Sequence, residues 1–171
     1  AALRQALGDL PFVAEDLGVL SDEVKALRET WGFPGMKVLQ FELFGNGTPR
    51  LGAAFSENTV AYTGTHDNNT VAGWYEEELT AEERRRLSAY GGFTREASGV
   101  EMAVRLVEMA YASKARWAIL PVQDILGLGS AARMNRPGTV GGQNWRWRLP
   151  HTALNPVLAK RLKLLCVRSH R

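Results

Sequence analysis

Four times along these 171 residues a short apolar run breaks off at a polar cluster and gives way to an amphipathic stretch. The runs are Pro11–Ala14 before Glu15-Asp16, Met36–Phe41 before Glu42, Val60–Thr63 before His66-Asp67, and Trp117–Val122 before Gln123-Asp124. Short apolar strands alternating with helical patterns are the signature of an α/β chain built on a parallel sheet. In such folds, and in (β/α) barrels especially, the carboxyl ends of the strands form the rim on which chemistry is assembled. An eight-stranded barrel takes about 250 residues. The pattern therefore predicts half of one.

The intervening helices carry local start signals. Ser21 is placed as an N-cap, with Asp22 and Glu23 suiting the positive end of the dipole and Val24, Leu27 and Trp31 expected as a buried stripe. Pro34-Gly35 resets the chain, and a Gly, Asn and Pro loop runs through Gly52. A helix is expected around Val71 to Glu78. Thr80 with Glu83, and Ser98 with Glu101, match the S/T-x-x-E capping box. The second should open a helix burying Val100, Ala103, Val104, Val107, Ala110 and Tyr111. Asn155-Pro156 opens a terminal helix over about 155–171, with Asn as cap and Pro in the first turn.

Composition limits the function classes. With 45% hydrophobic and 23% charged residues the chain is neither disordered nor membrane-spanning, since no run of about 18 apolar residues exists. A soluble, cytoplasmic protein is expected, and the single Cys166 favours a reducing compartment. Its first residues lack an initiator Met and a signal-peptide layout, so Ala1 reads as mid-protein. The formal charge of +3 is a property of the tail: Lys160, Arg161, Lys163, Arg168 and Arg171 stand without an acid, and the 16 basic and 18 acidic residues elsewhere leave −2. A solvated helix face accounts for that cluster, with a polyanion site as the competing reading; no nucleic acid or membrane partner is expected.

Several residue types on the predicted rim have chemical uses. Glu15, between an apolar strand and a second carboxylate, stands where partial burial would raise its pKa and suit it to general acid and then base catalysis; capping of the next turn by Glu15 or Asp16 is the alternative. His66-Asp67 offers an imidazole and a carboxylate to sugar hydroxyls or to an oxocarbenium-like centre. Asp67, Asn68, Asn69 and Thr70 are equally good helix caps. Three dispersed histidines and one cysteine give no zinc-site spacing, so no metal is expected. Nucleophile-elbow and Walker motifs are absent. Trp31, Trp74 and Trp117 fall at periodic, core-like positions, whereas Trp145 and Trp147 lie in a polar segment where indoles stack on a sugar face or pack against the fold.

Six segments in order carry a resemblance. They are Val13-Ala14-Glu15-Asp16-Leu17-Gly18, the run from Pro34 to Phe41, the run from Tyr62 to Thr70, the run from Pro121 to Gly129, Arg133-Met134-Asn135-Arg136-Pro137-Gly138, and Asn144-Trp145-Arg146-Trp147-Arg148. Together they resemble the C-terminal half of a 4-alpha-glucanotransferase of the amylomaltase or disproportionating-enzyme family, in the alpha-amylase superfamily. The resemblance implies an α/β fold that is the C-terminal half of a TIM (β/α)8 barrel across residues 1–171. It implies transfer of alpha-1,4-glucan segments between maltooligosaccharides, by retaining double displacement and without a cofactor, in starch, glycogen or maltodextrin metabolism. On that pattern Glu15 is the acid/base, Asp67 stabilises the transition state, His66 binds a sugar hydroxyl, and Asn135 and Trp145 lie near the glucan.

The family's nucleophilic aspartate belongs to an Arg-x-Asp-His-like segment expected upstream of Ala1. Asp9, Asp16, Asp22 and Asp124 do not match it. The chain alone is therefore expected to be inactive, with a non-catalytic glucan-binding half-barrel and an alpha-glucan hydrolase as alternatives. An isolated half-barrel would expose strand edges at Phe12–Ala14 and Trp117–Val122 and self-associate.

Overall fold

The computed structural model describes residues 2–8, 12–43 and 55–171. Among them one parallel sheet runs in the order β1 (Gly35–Val38), β2 (Thr59–Tyr62), β3 (Trp117–Ile119). Met36 lies opposite Val60, and Val60 opposite Trp117. Parallel neighbours need a crossover between them, and helices supply it. The helices are α1 (Ala2–Leu7), α2 (Asp22–Thr30), α3 (Leu39–Glu42), α4 (Val71–Gly73), α5 (Ala81–Tyr90), α6 (Gly99–Ala112), α7 (Val122–Ile125) and α8 (Pro156–Arg168). A π-helical turn over Trp74–Glu78 continues α4, and a 3-10 turn spans Ser130–Ala132.

The core joins β2 to α3, α4, α5 and α6. Leu39, Leu43, Ala61, Val71, Tyr75, Leu87, Met102 and Leu106 are its most enclosed apolar side chains. Every predicted cap forms. Ser21, Thr80, Ser98 and Asn155 accept from the backbone N–H of Val24, Glu83, Glu101 and Leu158. Thr80 with Glu83 and Ser98 with Glu101 close full capping boxes. The Arg95 guanidinium and the Ser98 cap hold the Glu101 carboxyl down at about 2.

Several expected elements are altered by tertiary contacts. Pro11 lies outside the described residues, and Phe12–Ala14 is irregular, not a buried strand. Ala14 N–H donates to Pro34 O at 2.9 Å, but proline has no N–H to return, and the next donor, Met36 N–H, is taken by the Asp16 carboxylate at 2.6 Å. A side chain thus occupies the place of a ladder bond. The strand expected over Met36–Phe41 ends at Val38, and its remainder turns into α3, putting Leu39 and Leu43 into the core. Most of the loop expected through Gly52 lies outside the described residues. The strand expected over Trp117–Val122 stops at Ile119, because Pro121 removes a donor and Val122 starts α7.

The buried stripe expected on α2 is not formed: Val24 and Leu27 are 47% and 59% exposed, and Trp31 is half-buried. This helix is held instead through Arg28. On α6 the buried face is Gly99, Met102, Ala103, Leu106, Val107 and Ala110, one position away from the expected stripe, so Val100 is exposed while Val104 and Tyr111 are half-buried. Two overlapping helical stripes exist in that segment, and the contact with α4 selects between them. Trp74 is buried as expected, whereas Trp117 is exposed on β3.

Candidate active site

The carboxyl ends of β1, β2 and β3 open onto a cleft of about 1250 Å3. Its lining includes Glu15, Asp16, Lys37, Glu42, Tyr62, His66, Asp67, Asn69, Glu78, Asp124 and Arg133. Three of the four predicted polar clusters follow strands, and the fourth reaches the same rim from the irregular segment at Glu15. The polar clusters read from the sequence thus lie together at the carboxyl end of the sheet, around one cleft.

Asp67 lies at the centre of a bonded cluster. Its Oδ1 accepts from Asn135 Nδ2 at 2.6 Å and lies 3.4 Å from His66 Nε2. The backbone repeats the connection, since Asn135 N–H donates to His66 O at 3.1 Å. The capping alternative for this segment is resolved residue by residue: Thr70 caps α4 by accepting from Gly73 N–H, and Asn68 Oδ1 accepts from Thr65 N–H and Oγ1–H. Thr70 does the capping, which leaves the Asp67 carboxylate facing the cleft, about half exposed.

Trp145 covers His66. The ring centroids are 5.3 Å apart with planes at 37°, and Trp145 is 55% exposed. Its backbone sits at φ 62°, a left-handed conformation that is rare for a bulky side chain and costs on the order of 1–3 kcal/mol. The Trp145 N–H donates to Met134 O at 2.7 Å, and Asn144 bonds Arg136 and Thr139, so the loop over-determines that geometry. Trp147 is half-buried.

Glu15 is presented differently. It is exposed rather than partly buried as expected, and among the described residues none hydrogen-bonds its carboxylate. The adjacent Asp16 is fixed: Oδ2 accepts from Arg28 Nη1 at 2.6 Å and Oδ1 from Met36 N–H. Gly35 makes this possible, because a Cβ there would overlap the Arg28 guanidinium and the Asp16 carboxylate. Neither Glu15 nor Asp16 caps a helix. Asp16 instead ties α2 to β1 one residue from Glu15.

Asp124 is a structural carboxylate. It is 1% exposed, accepting from Thr63 Oγ1–H at 2.5 Å and from Val71 N–H at 2.8 Å, and burial pushes its pKa up despite those two donors. It therefore links the end of β2 to α4 and α7 at the floor of the cleft. Lys37 and Glu42, brought together by the turn from β1 into α3, pair at 2.9 Å on the rim.

Sequence reasoning overlooked three groups that hold the cluster: Arg133, Glu78 and Asn69. Arg133 belongs to the Arg133-Met134-Asn135 motif but gave no sign of its targets. Glu78 ends the helix expected from Val71, and the structure places it in a π turn. Asn69 Nδ2 donates to Glu78 Oε1 and to Ser130 Oγ, each at 2.9 Å. Gly73 permits this close packing, because a Cβ there would strike Ser130 and Asn69.

Among the described residues no group of three or more His, Cys, Asp or Glu is arranged to hold a metal ion, and no helix is long and apolar enough to cross a membrane.

A family profile described as 4-alpha-glucanotransferase matches residues 1–154. A 4-alpha-glucanotransferase from Synechocystis is 47% identical over 167 residues, covering 96% of this chain and 32% of its own length. One from Thermus thermophilus is 43% identical, covering 99% of this chain and 34% of its own. The solved structure of amylomaltase from Streptococcus agalactiae in complex with acarbose superimposes with a TM-score of 0.86 at 33% identity, covering 99% of this chain and 34% of that one. The chain thus spans about a third of the length of the curated relatives it matches.

Proposed function

Because the chain belongs to the 4-alpha-glucanotransferase family, we propose that it contributes the acid/base and transition-state-stabilising part of a retaining alpha-1,4-glucan transferase. The observation that carries this reading is one cleft lined by Glu15, His66 and Asp67, the last bonded by Asn135. Glu15 is exposed to the cleft and free to swing toward a glycosidic oxygen, protonating it and then accepting the proton of an incoming sugar hydroxyl. Asp67, held by Asn135, presents a fixed negative charge to the oxocarbenium-like centre, and His66 donates to a hydroxyl of the same sugar. Trp145, exposed beside His66, offers an apolar surface to a glucose ring.

Retention needs a second carboxyl about 5–5.5 Å from the acid/base. Asp16 is committed to Arg28 and Met36, Asp124 is buried and committed to Thr63 and Val71, and Asp22 is on α2 in an ion pair with Lys25. Asp9 lies outside the described residues. This reading assigns the nucleophile to the longer protein of which these residues are about a third, and the three parallel strands to one side of its (β/α)8 barrel. The exposed Trp117 and Ile119 on β3 are where the rest of that barrel would pair.

The test is disproportionation of maltotriose. The complete enzyme should release glucose and longer oligosaccharides, whereas the 171-residue chain alone should release neither. Robust transfer by the chain alone would overturn the assignment of the nucleophile elsewhere.

A further inference from the structure

The guanidinium of Arg133 reaches three groups. Its Nη2 donates to Asp67 O at 2.8 Å, its Nε to Asn135 O at 2.8 Å, and its Nη1 lies 3.3 Å from Glu78 Oε1. The same Glu78 oxygen accepts from Asn69 Nδ2 at 2.9 Å, so Asn69 is the fourth group tied in, through Glu78. The Arg133 side chain is only 17% exposed. Its two carbonyl bonds fall on the two residues whose side chains meet at 2.6 Å, Asp67 and Asn135. They come from different loops, one after β2 and one after the 3-10 turn, and in sequence they are far apart.

We infer that Arg133 is a positioning residue of the transferase site, holding the Asp67 and Asn135 loops in the register that aims the Asp67 carboxylate, with Glu78 fixing the guanidinium from the π turn. The inference rests on the glucanotransferase reading. Its physical basis is the planar fork of Arg: the diverging Nε–H and Nη–H vectors bridge two carbonyls and a carboxylate at once. A lysine ammonium keeps the charge beside Glu78 but cannot span the same three acceptors. The π-helical turn has a purpose here, because it delivers Glu78 to both Asn69 and Arg133, and such turns recur at functional sites. Arg133 touches no reacting atom in this arrangement. It acts through where Asp67 points.

A group that orients a transition-state stabiliser affects turnover more than ground-state binding. In the complete enzyme, steady-state maltotriose disproportionation should show R133A lowered about 100-fold in kcat, the scale on which misplacement of about 1 Å acts. KM should change by less than about threefold. R133K should keep a near-native melting temperature yet recover only a minor part of kcat, and E78Q, which retains the acceptor oxygen, should lose several-fold. Wild-type kcat in R133K, or a loss in all three variants that follows melting temperature or falls on KM, would overturn the inference. A wild-type enzyme unable to disproportionate maltotriose would instead overturn the glucanotransferase reading itself.

Discussion

The segment that presents Glu15 and the loop that presents Asp67 face the same cleft but are held in opposite ways. Asp67 is restrained directly: Asn135 bonds its carboxylate and Arg133 its carbonyl. Among the described residues Glu15 is restrained through its neighbours, by Ala14 N–H on Pro34 O and by Asp16 on Arg28 and Met36. The contrast fits the two proposed tasks. A group that stabilises developing charge gains from being preorganised, whereas a group that first gives and then takes a proton must move between partners.

The largest effects should come from neutralising each carboxylate in the complete enzyme. E15Q should lower transfer from maltotriose by about 10²–10⁴-fold, the usual worth of general acid–base catalysis. D67N should lower it by about 10²–10³-fold, as for loss of one preorganised electrostatic contact. Substrate choice separates them. A maltooligosaccharide with an activated aryl leaving group needs no protonation on departure, so E15Q should recover glycosylation on it and D67N should not. Equal recovery in both variants would erase the proposed division of labour.

Stability should then divide the two regions in the reverse sense. D16A leaves the Met36 N–H and a mostly enclosed Arg28 without their acceptor, at a cost of roughly 2–4 kcal/mol. Chemical denaturation of the chain carrying D16A would read this loss. Breaking the half-exposed contact to Asp67 with N135A should cost under about 1 kcal/mol. A D16A protein as stable as the wild type would mean that the tie from α2 to β1 does not hold the Glu15 segment.

The smallest effect concerns pH. Burial raises the folded-state pKa of Asp124, so between the ordinary carboxylate range and that raised value the folded chain binds more protons than the unfolded one. Its contribution to stability is therefore greatest at acid pH and falls as pH rises through that window. D124N, neutral throughout, should gain in thermal stability relative to the wild type as pH is raised from about 4 to 7. Parallel profiles for the two proteins would show that Asp124 keeps the same proton affinity folded and unfolded.

Two helices show why some of this was legible and some was not. α2 and α6 both begin at a serine cap that accepts from the third helical N–H, and both caps were readable because the bond spans three residues. Burial was not readable in the same way. The amphipathic stripe of α6 finds α4, while Val24 and Leu27 of α2 stay 47% and 59% exposed. Periodicity states which side chains are available to a core, and only a facing surface makes them one. The strand expected before Glu15 failed for a related reason, since Pro34 and the Asp16 side chain replace the backbone partners that a ladder requires.

The same division runs through the site. Glu15, His66, Asp67, Asn135 and Trp145 were proposed from residue types in ordered motifs. Arg133 and Asn69 stand in those motifs too, but what they bond was not legible, because the bonds of Arg133 to Glu78 and Asp67 span 55 and 66 positions, that of Asn69 to Ser130 spans 61, and Glu78 sits in a π turn. Local order along the chain determined the caps, the alternation of strand and helix, the end of the sheet where the polar clusters gather, and the family. Tertiary structure alone decided which apolar stripes are buried, which carboxylates are tied down, and how Asp67 is aimed. Hydrogen bonds between distant loops depend on where the whole backbone has gone.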